Sequence, residues 1–263
     1  FLSKTVSCQH HCANQVFYIL EEIKKMKINV ISRIEKIKEY LLVHNQVSIN
    51  DLSNQLGVTP ETLRKDFSLL ETRGFLYRTH GGAILRNSNI DVPFSLRSQE
   101  KQELKNKICT KVLDYINNES MIYIDPSSTA LPLGKLLRLK KDIVLVTNSI
   151  DLLHSASDSK LDLIFLGGDY NRNGRRTGGF FPIDMINRMS FDVSIFGTDG
   201  FLDDGPGTQS KDAVFMNKSV IQRSKVNILI SDSSKFSLSC RYQYANYSDF
   251  SIFITDYIPK EWT

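Results

Sequence analysis

The spacing of apolar residues changes along the chain, and the changes mark out its parts. From residue 31 to residue 70 they recur at intervals of three and four: Ile34, Ile37 and Leu41, then Ile49, Leu52 and Leu56, then Leu63, Phe67 and Leu70. That interval puts one buried stripe on each of three helices. The first runs roughly from Ile31 to His44. The second is capped by Ser48 or Asn50 and ends at Gly57, where a left-handed residue closes a helix without steric cost. The third starts from Thr59 as N-cap with Pro60 in the first helical position, where a missing N–H matters least. Leu63, Phe67 and Leu70 then face inward, and Thr62, Arg64, Lys65 and Ser68 face outward. Gly74 ends this helix, and Phe75–Leu85 reads as a short hairpin turning at Gly81-Gly82. Three helices and a hairpin predict a winged helix–turn–helix, whose second motif helix lays its N-terminal residues in the major groove of DNA.

The pattern then changes. Residues 87–93 are polar and unpatterned and read as a linker between a DNA-binding part (26–86) and a larger part (94–263). Phe94 to Asn117 is predicted helical, with Ile108, Val112, Leu113 and Ile116 as its buried stripe. Six short apolar runs follow, each ending in small polar residues. They are Met121–Asp125, Ile143–Val146, Leu161–Leu166, Val193–Phe196, Val226–Ile230 and Phe250–Ile254. Helical stretches are predicted between most of them, at Ala130–Arg138, Ile150–Ser157, Pro182–Met189 and Lys211–Ser224. Strands alternating with helices predict an α/β fold with a largely parallel sheet flanked by helices. Such sheets bind ligands at the carboxyl ends of their strands, near helix N-termini that favour anions. The tips therefore supply the candidate effector residues: Asp125, Ser127, Ser128, Thr129, Thr147, Asn148, Ser149, Gly167, Gly168, Asp199 and Lys235. Arg175 or Arg176 could add positive charge from the loop after Gly167-Gly168. Asp125 and Asp232 could instead cap the turns that follow them.

Charge adds one feature. The net charge is +4, and residues 1–86 carry 12 Lys+Arg against 8 Asp+Glu, whereas residues 87–263 carry 21 of each. The small surplus lies wholly on the part that would meet phosphate. No apolar run approaches the roughly 18 residues that span a bilayer. Four cysteines in a chain of 263 residues form no disulfide framework, which suits a reducing cytoplasm. Cys8, His10, His11 and Cys12 are too crowded, with no second cluster, to complete a tetrahedral metal site. Residues 1–25 lack the plan of a signal peptide and are read as a dispensable extension upstream of a start at Met26. No metal or cofactor is expected.

Two sets of motifs carry a family resemblance. Val58-Thr59-Pro60-Glu61-Thr62-Leu63-Arg64-Lys65-Asp66, Leu70-Glu71, Gly74 and Arg78-Thr79-His80-Gly81-Gly82-Ala83 resemble the N-terminal signature of the DeoR family of bacterial transcriptional regulators. Farther on, Asp125-Pro-Ser-Ser-Thr129, Val146-Thr-Asn-Ser149, Leu166-Gly-Gly168, Phe196-Gly-Thr-Asp-Gly200 and Asp232-Ser-Ser-Lys-Phe236 resemble its sensor domain, in the family's order. The resemblance spans about residues 32 to 256. It implies a sensor similar in fold to ribose-5-phosphate isomerase that responds to phosphorylated sugars. The candidate DNA-facing residues are Ser48, Thr59, Pro60, Glu61, Thr62, Arg64, Lys65, Arg78, His80 and Gly81. Three departures stand out. Lys65 replaces an arginine and loses its planar fork. Ser127-Ser128-Thr129 stands where many relatives have Gly-Thr-Thr. Asn217 stands where relatives carry a lysine. Asp66 would be repelled by phosphate and is expected to orient Arg64 or a wing residue.

The expected function is a cytoplasmic transcriptional regulator that represses a carbohydrate operon. It would bind a double-stranded DNA operator as a homo-oligomer, answer to a phosphorylated sugar, and be neither membrane-bound nor an enzyme. The alternatives are a sugar-phosphate isomerase-like enzyme using carboxylates such as Asp125, Asp199 and Asp232 with Lys235, and a regulator whose sensor only oligomerises.

Overall fold

The computed structural model describes residues 30–86 and 92–262. Residues 1–25, with the Cys8–Cys12 cluster, lie outside the described residues, as do most of those read as a linker. The chain divides between residues 88 and 89 into two units, each described separately below.

In the first unit, helix α1 (30–44) buries Ile34, Ile37 and Leu41. A short strand β1 (Gln46–Ser48) leads into α2 (Ile49–Leu56), and α3 (Pro60–Thr72) follows the Gly57 turn. The predicted caps are in place. Ser48 accepts the Asn50 N–H, Gly57 is left-handed at φ 64°, and the Thr59 hydroxyl accepts the Thr62 N–H. Strands β2 (Leu76–Thr79) and β3 (Gly82–Leu85) form the wing hairpin. β1 pairs with β3, making a three-stranded sheet that the apolar spacing did not reveal. The turn sits at His80-Gly81, one residue earlier than expected, and Gly82 already belongs to β3. A Cβ on Gly82 would lie 1.8 Å from the Val47 carbonyl oxygen, so only glycine lets β1 approach there.

The second unit opens with α4 (Phe94–Gln99) and α5 (Gln102–Val112). The single helix expected from 94 to 117 is thus broken. Lys101 is left-handed at φ 51°, and a 3₁₀ turn at Leu113–Tyr115 ends the segment. Six parallel strands follow: β4 (Met121–Ile124), β5 (Val144–Thr147), β6 (Asp162–Phe165), β9 (Phe191–Phe196), β12 (Ser224–Ser231) and β14 (Ile252–Thr255). These are the six apolar runs, in the order β14-β12-β9-β4-β5-β6. One face packs Ile122, Ile124, Leu145 and Ile195 against α5, α6 (Leu133–Leu136) and α7 (Ile150–Ala156). The other packs Tyr123, Val146 and Phe196 with residues of α8 (Phe180–Asn187) and α9 (Lys211–Ile221). Burial on both faces explains why the runs are continuous rather than alternating. Between these elements lie the hairpin of β7 (Asp169–Asn171) and β8 (Arg176–Gly178), and a small sheet of β10 (Gly200–Leu202), β11 (Gly205–Thr208) and β13 (Tyr242–Gln243). Their two to four residues were too short to stand out by periodicity.

Among the described residues, no helix is long and apolar enough to cross a membrane, and no group of three or more His, Cys, Asp or Glu could hold a metal ion.

Candidate DNA interface and effector site

On the first unit, the outward face of α3 and the wing collect the predicted residues. Ser48, Thr59, Glu61, Arg64, Lys65, Arg78, His80 and Gly81 are exposed, and Pro60 and Thr62 are half-buried. The Thr59 hydroxyl lies 2.9 Å from that of Thr62, so both are held at the start of the helix. Arg78 is braced from behind: Glu71 accepts its backbone N–H at 2.9 Å, and its guanidinium donates to Ser68 Oγ at 2.6 Å. Glu71 is thus the structural partner that a carboxylate near a phosphate face would need to be.

Asp66 differs from expectation. It orients neither Arg64 nor the wing. It is buried and takes a two-pronged contact from Arg33 on α1, Nε to Oδ2 at 2.5 Å and Nη2 to Oδ1 at 3.0 Å. A carboxylate can sit on the inner face of a recognition helix because a guanidinium from the packing helix neutralises it there.

On the second unit, the strand order places the site. The chain runs outward from β4 through β5 to β6, then returns to build β9, β12 and β14 on the other side of β4. The direction therefore switches between β4 and β9, and ligands enter parallel sheets at such a point, beyond the carboxyl ends of the strands. A cavity of about 320 Å³ lies there. Asp125, at the end of β4, accepts the Gly197 N–H from the end of β9 at 2.9 Å and the Ser127 N–H at 3.1 Å. Burial raises its carboxyl to about 6 against the lowering pull of these bonds. A Cβ on Gly197 would meet Ser127 at 2.3 Å, so glycine is what lets the two loops close on each other.

Asp199 forms another wall. Its Oδ1 is 3.0 Å from Arg97 Nη1, and its Oδ2 accepts from Thr208 Oγ1 at 3.1 Å and the Gln209 N–H at 3.0 Å. Burial pushes this carboxyl up, but Arg97, Lys235 and the Gln209 N–H outweigh it and hold it below the usual range. Arg176, buried, also lines the cavity. Behind the wall, Lys105 donates to Ser128 Oγ at 3.2 Å and to the Arg97 carbonyl, and burial lowers its ammonium to about 8. Lys101 pairs with Asp232 at 2.8 Å.

Four of the predicted effector residues line this cavity: Asp125, Ser127, Asn148 and Asp199. The others are not on its wall, and several make contacts within the scaffold. Thr147 donates to the Ile124 carbonyl, and Ser149 caps α7 through the Leu152 N–H. Ser128 meets Lys105, and Thr129 is buried beside Cys109, whose thiol donates to its carbonyl. Gly168, at φ 154°, passes so close to β8 that a Cβ would lie 2.4 Å from the Gly178 carbonyl oxygen. Gly167 precedes it, and Lys235 is half-buried with its ammonium lowered by burial while Asp199 and Asp232 oppose the shift. Asp232 caps its own turn by accepting the Ser234 N–H. Arg175 points away to pair with Asp151 at 2.6 Å, leaving Arg176 as the member of that pair on the cavity.

The sequence reading missed Arg97, Asp169, Thr208 and Tyr244 on the wall. Tyr244 donates its hydroxyl to the Gly197 carbonyl at 2.7 Å. None stands in a strand tip of the main sheet, so no positional signal singled them out.

Comparison with known proteins gives a consistent result. Residues 33–89 match the family model described as a DeoR-like helix-turn-helix domain, and residues 100–257 match that of the DeoR C terminal sensor domain. The chain is 30% identical over 230 residues to the uncharacterised HTH-type transcriptional regulator FruR of Bacillus subtilis, covering 86% of this chain and 88% of that protein. It is 28% identical to the HTH-type transcriptional repressor GlcR of the same organism, covering 87% and 89%. It is 27% identical to the glycerol-3-phosphate regulon repressor of Escherichia coli, covering 85% and 89%. Among solved structures, a D-ribose-5-phosphate isomerase in complex with phospho-erythronic acid matches at a TM-score of 0.39 and 20% identity, over 51% of this chain and 54% of that one.

Proposed function

We propose that this chain, which belongs to the DeoR family of transcriptional regulators, is a cytoplasmic repressor that releases its operator when a phosphorylated sugar fills the cavity between β4 and β9. One observation carries the effector half of the reading. A cavity at the switch point of the sheet brings Asp125 and Asp199 together with the guanidinium groups of Arg97 and Arg176. Carboxylates accept hydrogen bonds from sugar hydroxyls, and guanidinium groups favour a phosphate, so one small molecule carrying both suits the wall. The DNA half rests on α3 and the wing, where Thr62, Arg64 and Lys65 read or flank the groove and Arg78 and His80 meet the adjacent backbone.

Repression is proposed by analogy with relatives such as the glycerol-3-phosphate regulon repressor. One winged unit covers too little DNA for a specific site, so repeated half-sites and an oligomer belong to the proposal. Effector release requires that the ligand bind the DNA-free arrangement more tightly than the DNA-bound one.

The site binds and does not turn over in this reading. Membership of a family of transcriptional regulators supports binding without turnover. The test is direct. Ribose 5-phosphate incubated with the protein should remain unchanged, and a panel of sugar phosphates should include one that weakens binding to DNA from the chain's own promoter region. Turnover of a sugar phosphate, or no DNA binding at low salt, would overturn the reading.

A further inference from the structure

Three phenylalanines beside the cavity lie in water. Phe180 is 75% exposed, Phe181 69% and Phe215 64%. The first two open α8 and pack edge to face with centroids 5.9 Å apart. Phe215 lies on α9, which packs against α8. Both helices reach the cavity: Gly178 and Gly179, just before Phe180, line it, as do Ala213 and Met216 on either side of Phe215. Side chains of this size are rarely left together in solvent unless something covers them.

We propose that this α8–α9 face is a self-association surface, covered by the same face of a second copy of the chain. Area supports that occupant. Three rings exposed to this degree present roughly 400 Å² of apolar surface, at about 200 Å² for each aromatic side chain. A stable two-fold contact buries about 800 Å² on each partner, of which somewhat more than half is apolar. The rings therefore fill about the apolar centre of one such contact and leave the rest to a polar rim.

Charge supports it too. The rim carries both signs: Asp184 and Arg188 pair along α8 at 3.2 Å, and α9 exposes Lys211, Asp212 and Lys218. An interface across a two-fold axis sets a patch against itself, which needs both signs present. A nucleic acid or an anionic membrane would favour a surplus of one sign that this rim lacks. Because the face adjoins the cavity, a second copy seated there would border the effector entrance. Only this link to effector and DNA rests on the function proposed above; the contact itself does not.

Analytical ultracentrifugation of the full chain without DNA, over a range of protein concentration, tests the proposal. The wild type should associate, and F180S/F181S and F215S should each weaken association at least about tenfold. Unchanged circular dichroism would show that the variants fold. F181C under oxidation should in addition give a covalent dimer above the wild-type background, because a residue near a two-fold axis meets its own copy. A monomeric wild type, or variants that assemble as the wild type does without F181C cross-linking, would overturn it. Gel shifts on the same samples separate the two claims. Association lost in the variants with no DNA binding by any sample leaves the face standing and sinks the regulatory reading. Normal DNA binding with assembly indifferent to the rings does the reverse.

Discussion

Arg97 Nη1 lies 3.0 Å from Asp199 Oδ1, joining the first helix of the sensing unit to the wall of its cavity. The same guanidinium donates through Nε to the Val92 carbonyl at 3.0 Å. One side chain thus ties the cavity to the chain segment that follows the DNA-binding unit in sequence. In the proposed function, a phosphate entering the cavity would compete with Asp199 for this guanidinium, and sugar hydroxyls would compete for the carboxylate. Either exchange would loosen α4 from the wall.

Arg97→Met should therefore weaken sugar-phosphate affinity by at least about tenfold, the scale of one lost charge-assisted hydrogen bond. Arg97→Lys, which keeps charge but not the fork, should fall between. Operator affinity without effector should stay within about threefold of wild type, since Arg97 is remote from α3 in sequence and belongs to the other unit. Calorimetry for the effector and fluorescence anisotropy for DNA give the two numbers.

Lys65 is exposed on α3. Lys65→Ala should weaken binding to all DNA sequences alike and reduce the slope of log affinity against log salt by about one, as loss of one phosphate contact requires. A change in base preference instead would assign it to base readout.

The Arg33–Asp66 pair sits with Asp66 only 5% exposed. Removing Arg33 strands the buried carboxylate, so Arg33→Met should destabilise the DNA-binding unit by roughly 3 kcal/mol. Trp262 is the sole tryptophan and packs on Phe201 and Phe236 in the other unit. Circular dichroism should show an earlier transition while tryptophan fluorescence does not move.

Asp125 gives a pH signature. Its carboxyl titrates at about 6 when folded and near 3.9 when unfolded. Between these values the folded chain holds more proton, so the contribution of Asp125 to stability falls as pH rises. From pH about 3.5 to about 7, wild type should lose on the order of 2–3 kcal/mol relative to Asp125→Asn, whatever constant offset the substitution brings. Urea unfolding followed by Trp262 fluorescence at a series of pH values measures that difference. A flat difference would show that Asp125 is not buried as a strained carboxylate.

Much of the fold was legible because its cues are local. Ser48, Gly57, Thr59 and Pro60 set helix ends by their own backbone and side-chain chemistry, and the six apolar runs record burial on both faces of the sheet. The cavity wall was legible only where it falls at strand tips, as at Asp125 and Asp199. Arg97 lies 102 residues from the carboxylate it meets, and no spacing rule connects them. Gly168 reads as a ligand-loop glycine because a glycine needed for backbone crossing and one needed for ligand approach look alike. Asp66 reads as a partner for Arg64 or the wing because its actual partner, Arg33, comes from another helix.

The most direct test of the account is fluorescence anisotropy of labelled DNA from the chain's own promoter region, titrated with protein and then with each of a panel of sugar phosphates and their unphosphorylated sugars. Binding should be tight and fall with salt, at least one phosphorylated sugar should release it, the matching free sugar should not, and Arg97→Met should lose that release. Binding that no sugar phosphate alters, or release by the free sugar as readily as by its phosphate, would contradict the account.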